Sequence, residues 1–246
     1  FNYTEVFDDR QYLCCPSWLP VDVWDGKSIK SSFYSHKAEE VRESIIDGSY
    51  KYCDEKQCPY LSGLSNHTYS RKFVKKTDES IEFFRSKNDI QTVNFCFDRS
   101  CNLQCPSCRS ELINYYGKDR EQVEDKLNQV KEEISPTVKR LYLTGTADPF
   151  YSKSFRQFLE TLDPDKFTKL ESIHLHTNGS LWNEAMWKRV KAIHPYVNSC
   201  EVSIDAATKE TYETKTRIGG KWDVLVDNLK FITKIKTIKF FSFSFV

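Results

Sequence analysis

Residues 93–108 read VNFCFDRSCNLQCPSC, a short apolar strand followed by a loop that carries three cysteines. Cys101, Cys105 and Cys108 are separated by three and then by two residues. Three thiolates on one tight loop can hold three corners of an iron-sulfur cubane, and the fourth iron then stays open to a small molecule. Structural zinc, the alternative, normally takes four ligands in two paired spacings. The spacing therefore favours a cluster, and we expect Cys96 to pack as a small hydrophobe.

Beyond this loop, short β-branched and aromatic runs alternate with amphipathic helical stretches. The predicted strands are 93–97, 140–144, 172–176, 201–204 and 238–246, and the predicted helices are 123–134, 155–162, 183–193 and 222–232. Because parallel neighbours need a crossover helix, the alternation predicts a parallel α/β array. The pattern alone leaves both a barrel and an open sheet possible. Since the sequence stops inside an apolar strand, we expect further residues after Val246.

The composition of the chain is that of a globular protein and does not indicate a charged partner. The chain has 246 residues, of which 39% are hydrophobic, and its 36 Lys and Arg balance 35 Asp and Glu. This size allows one sizeable core with a small appendage, and the even charge gives no reason to expect nucleic acid or an anionic membrane as a partner. The sequence has no long apolar run, and residues 1–10 lack the basic segment followed by an apolar one that is typical of a secretion signal. We therefore expect a soluble, cytoplasmic protein.

The start of the chain is turn-rich and holds a second group of cysteines. These are Cys14, Cys15, Cys53 and Cys58. Clustered thiols in a reducing cytosol bind metal more often than they form disulfides, and the total of nine cysteines is odd. A metal site could replace the apolar core that this segment lacks. We expect a small cysteine-rich lobe over 1–66, a basic connector over 67–92 and the α/β domain over 93–246.

The three-cysteine loop resembles the signature of the radical S-adenosylmethionine (SAM) superfamily, and three later stretches are similar to motifs of that family in the same order. LTGTADPF at 143–150 resembles its Gly-Gly-Glu-Pro turn, and HTNGSLW at 176–182 its Thr-Asn-Gly turn. VSIDAATKETYETKTRIGGKWDVLVDNL at 202–229 resembles the fourth-strand segment of branches with a SPASM (auxiliary-cluster) domain. The resemblance implies a partial (β/α) parallel barrel that is incomplete at its C-terminal end.

The resemblance also implies a 4Fe-4S cluster on the three-cysteine loop, with SAM bound to the open iron. An external donor would supply one electron, and the 5′-deoxyadenosyl radical released from SAM would abstract hydrogen from a peptide, amino-acid or sugar-type substrate. The residues implied to bind SAM are Gly145, Thr146, Asp148, Asn178, Ser203, Asp205 and Arg217. Gly145 would let backbone groups approach the methionine amine. The guanidinium of Arg217 is always charged and can donate two parallel hydrogen bonds, which suits a carboxylate.

One of these motifs departs from the family pattern. Gly145, Asp148 and Pro149 match the Gly-Gly-Glu-Pro turn, while the stretch Thr146-Ala147-Asp148 replaces its commoner Gly-Gly-Glu form. Other roles remain open for individual residues elsewhere. Asn178 and Gly179 could serve only as turn residues, and Arg217 could cap the turn before the helix at 222–232.

The N-terminal cysteines resemble the closing part of a SPASM domain. The resemblance covers two stretches, YLCCPSWLP at 12–20 and SHKAEEVRESIIDGSYKYCDEKQCPYL at 35–61. They contain a helix with an arginine, a Gly-aromatic turn and paired cysteines, as that domain does. The matching residues are Arg42, Gly48, Tyr50, Cys53 and Cys58. The resemblance implies an auxiliary 4Fe-4S cluster on Cys53, Cys58 and Cys14 or Cys15, with a fourth ligand from the other adjacent cysteine or from before Phe1. A zinc-bound or simply reduced lobe is the alternative. Because this domain usually follows the barrel, we expect the sequence to be a central part of a longer protein.

Two functions of different classes follow from these patterns. The leading one is a radical SAM enzyme, and the alternative is a non-catalytic iron-sulfur or zinc scaffold that binds a partner protein. A scaffold would need no SAM and would tolerate loss of the Gly145 turn. Ser242 and Ser244 alternate with phenylalanines in the last predicted strand, so a partial barrel would direct their small polar side chains toward a substrate.

Overall fold

The structure is a computed structural model that describes residues 2–62, 78–79, 81–82, 89–143 and 146–245. Its contacts divide the chain into two compact units, Phe1–Val93 and Asn94–Val246. Most of the predicted connector, 67–92, lies outside the described residues. None of the helices in these described ranges is long and apolar enough to cross a membrane.

The first unit combines a small strand pair with short helices. Strands β1 (Tyr3–Val6) and β2 (Gln11–Tyr12) are antiparallel, and helices α1 (Ile29–Phe33), α2 (His36–Ile46) and α3 (Pro59–Ser62) follow. A capping box of Ser28 and Ser31 begins α1. On α2, the buried Arg42 donates from Nη2 to the carbonyl of Phe33 at 2.7 Å, which ties the two helices together.

The second unit is built on parallel strands. They are β3 (Thr92–Phe95, which includes the boundary between the units), β4 (Arg140–Leu143), β5 (Ser172–Thr177), β6 (Val197–Ser203) and β7 (Phe240–Ser244). They lie side by side in sequence order, and the pairs β4–β5, β5–β6 and β6–β7 are parallel. The predicted parallel α/β array is therefore confirmed. Within the described residues the sheet is open, as in a partial barrel.

Helices connect these strands. They are α4 (Gly117–Gln129, continued by a π-helical turn at Val130–Ile134), α5 (Lys153–Glu160), α6 (Glu184–Arg189, followed by a 3-10 turn at Lys191–Ile193), α7 (Lys209–Thr211, continued by a π-helical turn at Tyr212–Thr216) and α8 (Trp222–Ile232). The prediction started α4 at residue 123, because its first turns are polar and carry no apolar periodicity. Helix α7 was not predicted, since it spans less than one turn.

The two faces of the sheet differ in polarity. On one face Leu141, Leu143, Ile173, Leu175 and Val202 are fully buried. The opposite face is polar, because side chains alternate along each strand and the register aligns the polar ones. It carries His174, His176, Ser199, Glu201, Ser203, Ser242 and Ser244, with His174 beside Ser199, His176 beside Glu201, Glu201 beside Ser242 and Ser203 beside Ser244. We call this set the polar face.

Candidate cofactor site

A pocket lies where the strands of the second unit end. The three cysteines of the predicted loop line it, together with Asp148, Asn178, Ser203 and Arg217. These side chains follow β3, β4 and β5, end β6, or follow α7. Residues far apart in sequence therefore meet here, such as Cys105 and Arg217, which are separated by 112 positions. The C-terminal edge of a parallel sheet is the usual place for a ligand. Four of the seven residues implied to bind SAM thus share a pocket with the predicted cluster ligands.

The cysteine loop is fixed by its backbone and by a small core. The amide of Cys101 donates to the carbonyl of Ile113 at 3.0 Å, and the amide of Gln104 donates to the carbonyl of Ile218 at 2.9 Å. The fully buried Leu103 packs with Cys101 and Cys105, whereas Cys108 is exposed. The loop therefore presents its thiols from a rigid base.

Burial affects the protonation of the first of these thiols. It raises the pKa of Cys101 to about 11, with a further increase from the charge of Asp148 and an opposing effect from Arg109. Without a metal, this thiol is protonated at neutral pH. Because a thiol ligates iron as the thiolate, loading of the site would release protons.

Asp148 joins three segments around the pocket. Its carboxylate accepts from the amides of Phe150 and Tyr151 at 3.0 and 3.1 Å, and from the hydroxyl of Thr177 and the amide of Asn178 at 2.6 and 3.0 Å. Its own amide donates to the carbonyl of Ser100 at 3.0 Å. Burial raises the pKa of the Asp148 carboxyl, and these hydrogen bonds oppose the increase. Asp148 thus lines the pocket, while its Oδ1 closes the turn after β4 and its Oδ2 holds the end of β5 against that turn.

The stretch that departs from the family pattern is held to the end of β3. The hydroxyl of Thr146 lies 3.0 Å from the carbonyl of Cys96 and 2.6 Å from that of Asp98. The Asp98 carboxylate in turn accepts from the hydroxyl of Ser152, the N-cap of α5, at 2.5 Å. Thr144 and Gly145 lie outside the described residues, so the role predicted for Gly145 stays a prediction.

Asn178 belongs to a small amide network beside the cysteine loop. Its Nδ2 donates to Oδ1 of Asn102 at 2.9 Å and lies 3.6 Å from Sγ of Cys101. Its Oδ1 accepts from the amide of Ser180 at 2.9 Å. The next residue, Gly179, has φ +76°, and a Cβ there would lie 2.8 Å from Cδ1 of Leu225. The backbone conformation and the close packing therefore both favour glycine at position 179.

Ser203 connects the pocket to the polar face. Its hydroxyl lies 2.7 Å from Nε2 of His176 and 2.9 Å from the hydroxyl of Ser244. Burial lowers the pKa of His176, and the charge of Glu201, 3.6 Å from Nε2, opposes the decrease. His176 and Ser203 both line the pocket, so the pocket and the polar face are continuous.

The side chain of Arg217 is held between an acid and a cysteine. Its Nη2 lies 2.7 Å from Oδ2 of Asp205, and its Nη1 lies 3.4 Å from Sγ of Cys105. Its Nε is buried and has no hydrogen-bond partner among the residues that the structure describes. The backbone carbonyl of Arg217 accepts from the amide of Gly220 at 2.8 Å, so the turn before α8 is closed by the backbone. A buried guanidinium with one unpaired N–H is a fitting donor for a ligand in this pocket.

The sequence-based prediction missed four residues of the pocket, Arg109, Ala147, His176 and Thr177. His176 and Thr177 lie within the HTNGSLW stretch, directly before Asn178. Arg109 directly follows Cys108, but its contacts lie 10 and 37 residues away: it donates from Nη1 to the carbonyl of Arg99 at 2.7 Å and from Nη2 to the carbonyl of Thr146 at 2.8 Å. The position of Arg109 next to Cys108 is the feature of the sequence that could have identified it.

The N-terminal cysteines lie on two segments of the first unit, and backbone hydrogen bonds connect these segments. The amide of Asp54, next to Cys53, donates to the carbonyl of Trp18 at 2.8 Å, and the amide of Trp18 donates to the carbonyl of Cys15 at 2.9 Å. Burial raises the pKa of Cys53 to about 11, and the charges of Cys58 and Cys14 add to the increase.

The donor set of the three-cysteine loop fits an iron-sulfur cluster. Over the described ranges, no three His, Cys, Asp or Glu side chains converge on the position of a single metal ion. A cubane is larger than one ion, and its thiolates bind different irons. Soft thiolates also select iron-sulfur clusters over hard cations.

Comparisons with known proteins agree with this site. The family model described as the radical SAM superfamily matches residues 96–244, which is more than half of the chain. The 7-carboxy-7-deazaguanine synthase of Aquifex aeolicus (strain VF5) is 29% identical over 133 residues, covering 50% of this chain and 57% of that relative. The chain therefore spans little more than half the length of this relative. The family implies a 4Fe-4S cluster and SAM, and together with the synthase it supports the expectation of an enzyme. The chain belongs to the radical SAM superfamily.

Proposed function

We propose that this chain reductively cleaves SAM at a 4Fe-4S cluster held by Cys101, Cys105 and Cys108, with an electron from an external one-electron donor. When bound, the cluster and SAM supply a 5′-deoxyadenosyl radical that abstracts hydrogen from a substrate. The observation that carries the proposal is the rigid loop of three thiols in a pocket that residues from the ends of four strands complete. A scaffold protein would not need this pocket beside the cysteines.

The residues around the loop would hold SAM in a fixed orientation. Asp148 and Thr146 keep the turn after β4 against the ends of β3 and β5. Arg217, whose Nε has no partner among the described residues, would donate to the SAM carboxylate, and Ser203 would meet the ribose hydroxyls. Because these groups are bonded within the chain before SAM arrives, little ordering is needed on binding.

The polar face supports a polar substrate of the peptide, amino-acid or sugar type. It begins at the pocket with His176 and Ser203 and continues to Ser242 and Ser244 on β7. Hydroxyl and imidazole groups would hydrogen-bond the amides or hydroxyls of such a substrate and would place it next to the radical. The name of the Aquifex aeolicus relative refers to a deazaguanine, a different type of molecule, so this substrate class depends on the polar face alone.

We also propose that the first unit carries an auxiliary cluster and that the chain belongs to the SPASM branch. Cys53 and Cys58 would be ligands together with Cys14, whose charge acts on Cys53, and with the adjacent Cys15. The bond between Asp54 and Trp18 holds the two segments in register for a shared ligand. All nine cysteines are free thiols, which supports a reducing compartment such as the cytoplasm.

The proposal is tested by measuring 5′-deoxyadenosine after anaerobic reconstitution with iron and sulfide, in the presence of SAM and dithionite. Cys105→Ala should abolish the product because it removes a ligand of the SAM-binding cluster. Cys200→Ala is the matched control, since Cys200 is buried on β6 and does not line the pocket, and it should retain the wild-type yield. An unchanged yield in Cys105→Ala would refute the loop assignment. A wild-type protein that is loaded with cluster but makes no 5′-deoxyadenosine would favour the scaffold.

A further inference from the structure

Each sulfur of the cysteine loop has its own side-chain N–H donor. Nδ2 of Asn178 lies 3.6 Å from Sγ of Cys101, and Nη1 of Arg217 lies 3.4 Å from Sγ of Cys105. Nη2 of Arg109 lies 3.4 Å from Sγ of Cys108. Hydrogen bonds to cluster sulfurs are among the main determinants of a cluster's reduction potential.

The three donors come from different segments, and each is held by further bonds. Arg217 is fixed by its ion pair with Asp205, and Asn178 by its amide network with Asn102 and Ser180. Arg109 is fixed by the carbonyls of Arg99 and Thr146. These bonds hold the donors beside the sulfurs before a cluster is loaded.

Arg109 differs from Arg217 in its charge balance. The charge of Arg217 is compensated by Asp205, whose side chain is only 4% exposed. The partners of Arg109 are neutral carbonyls and a sulfur, and in the described part of the chain it forms no ion pair. A guanidinium stays protonated at every working pH. Arg109 thus places a positive charge, with no ion-pair partner among the described residues, at the most exposed of the three thiols.

We propose that Arg109 is a positioning residue that raises the reduction potential of the cluster through its charge and its N–H bond at Cys108. The inference rests on the proposed function, because it requires a cluster on this loop. Reduction adds one negative charge, and a nearby cation stabilises the more negative state more strongly. The same side chain joins the loop to the turn after β4, so its charge lies at a fixed distance from Cys108.

An EPR-monitored redox titration of the reconstituted protein tests this role, with iron and sulfide counted for every variant. Arg109→Gln should load with iron as the wild type does but have a more negative midpoint potential, because it keeps an N–H donor and loses the charge. Arg109→Lys should recover part of the shift. Arg189→Gln is the control, since Arg189 pairs with Glu160 on the surface and should leave the potential unchanged.

The outcomes separate this inference from the proposed function. A wild-type protein that binds no iron-sulfur cluster refutes the proposed function and the inference together. A loaded Arg109→Gln with the wild-type potential refutes the inference alone. Loss of the cluster from both Arg109→Gln and Arg109→Lys also refutes it, because Arg109 would then serve only to hold the loop. A further readout is ionic strength: the difference between the wild-type and Arg109→Gln potentials should shrink as salt screens the charge of Arg109.

Discussion

At the scale of single residues, the side chains of the pocket have bonding partners within the chain. Both oxygens of Asp148 accept hydrogen bonds, the hydroxyl of Thr146 contacts two carbonyls, and Arg217 pairs with Asp205. Such bonds hold functional side chains in one geometry, as a preorganised site requires. These residues therefore shape the pocket in addition to any contact with SAM.

Gly179 should be among the least replaceable residues of the second unit. Its φ of +76° is unfavourable for any side chain, and a Cβ would lie 2.8 Å from Leu225 and 2.9 Å from Val202. Backbone strain of about 1–2 kcal/mol and overpacking of about 1–3 kcal/mol should together lower the free energy of unfolding in Gly179→Ala. Denaturant titration followed by tryptophan fluorescence measures the loss.

Gly117→Ala is the matched control for this prediction. Gly117 also has a positive φ, +53°, but a Cβ there would meet no atom within 4 Å. This variant should lose only the strain, about 1–2 kcal/mol. Equal losses in the two variants would show that packing at Gly179 does not matter.

The sequence identified the cysteine loop but not all of its surroundings. The spacing of Cys101, Cys105 and Cys108 is local, so it can be read directly from the chain. Arg109 could not be assigned in that way, because its function depends on the carbonyls of Arg99 and Thr146, which only the folded chain brings close.

At the scale of elements, the sequence predicted all five parallel strands and four helices of the second unit, but not all of their bounds. Strand β5 was predicted over 172–176 and spans Ser172–Thr177, since its alternation of apolar and polar residues is complete. Helix α4 begins at Gly117 and not at 123, because a surface helix can start with several polar residues. The polar face was anticipated only for Ser242 and Ser244, and the register extends it to β5 and β6.

The histidines of β5 should make the stability of the second unit depend on pH. Burial lowers the pKa of both His174 and His176 below the unfolded value of about 6.5. The native state thus keeps them neutral while the unfolded chain takes up protons, so their contribution is present above about pH 6.5 and is lost as the pH falls below it. The free energy of unfolding should therefore decrease between about pH 7.5 and about pH 5.5.

The double variant His174→Gln/His176→Gln tests this origin of the pH dependence. It should show a smaller decrease over the same range, measured by denaturant titration at several pH values. His36→Gln is the control, because His36 lies on the surface of α2 with its side chain 90% exposed, and it should keep the wild-type dependence. The same dependence in the double variant would show that other groups cause it.

At the scale of the whole molecule, the two cysteine groups lie in separate units. The alternation of strands and helices predicted the parallel array, but it did not decide between a barrel and an open sheet. Closure depends on which strands become neighbours across the sheet, and periodicity along the chain does not contain that information.

The separation of the two groups predicts independent loading. Replacement of Cys14, Cys15, Cys53 and Cys58 by alanine should lower the iron content by one cluster of about four irons and spare the cluster of the second unit. Iron and sulfide analysis after anaerobic reconstitution measures the difference. Zinc in the wild-type lobe, in place of iron, would contradict the proposed auxiliary cluster.

The central claim is that the three-cysteine loop holds a cluster with one open iron that binds SAM. The most direct test is the EPR spectrum of the reduced fourfold N-terminal cysteine variant, with and without SAM, because only the cluster of the loop remains in this protein. We expect one iron-sulfur signal, and we expect SAM to change its shape. The absence of any cluster signal, or identical spectra with and without SAM, would contradict the claim.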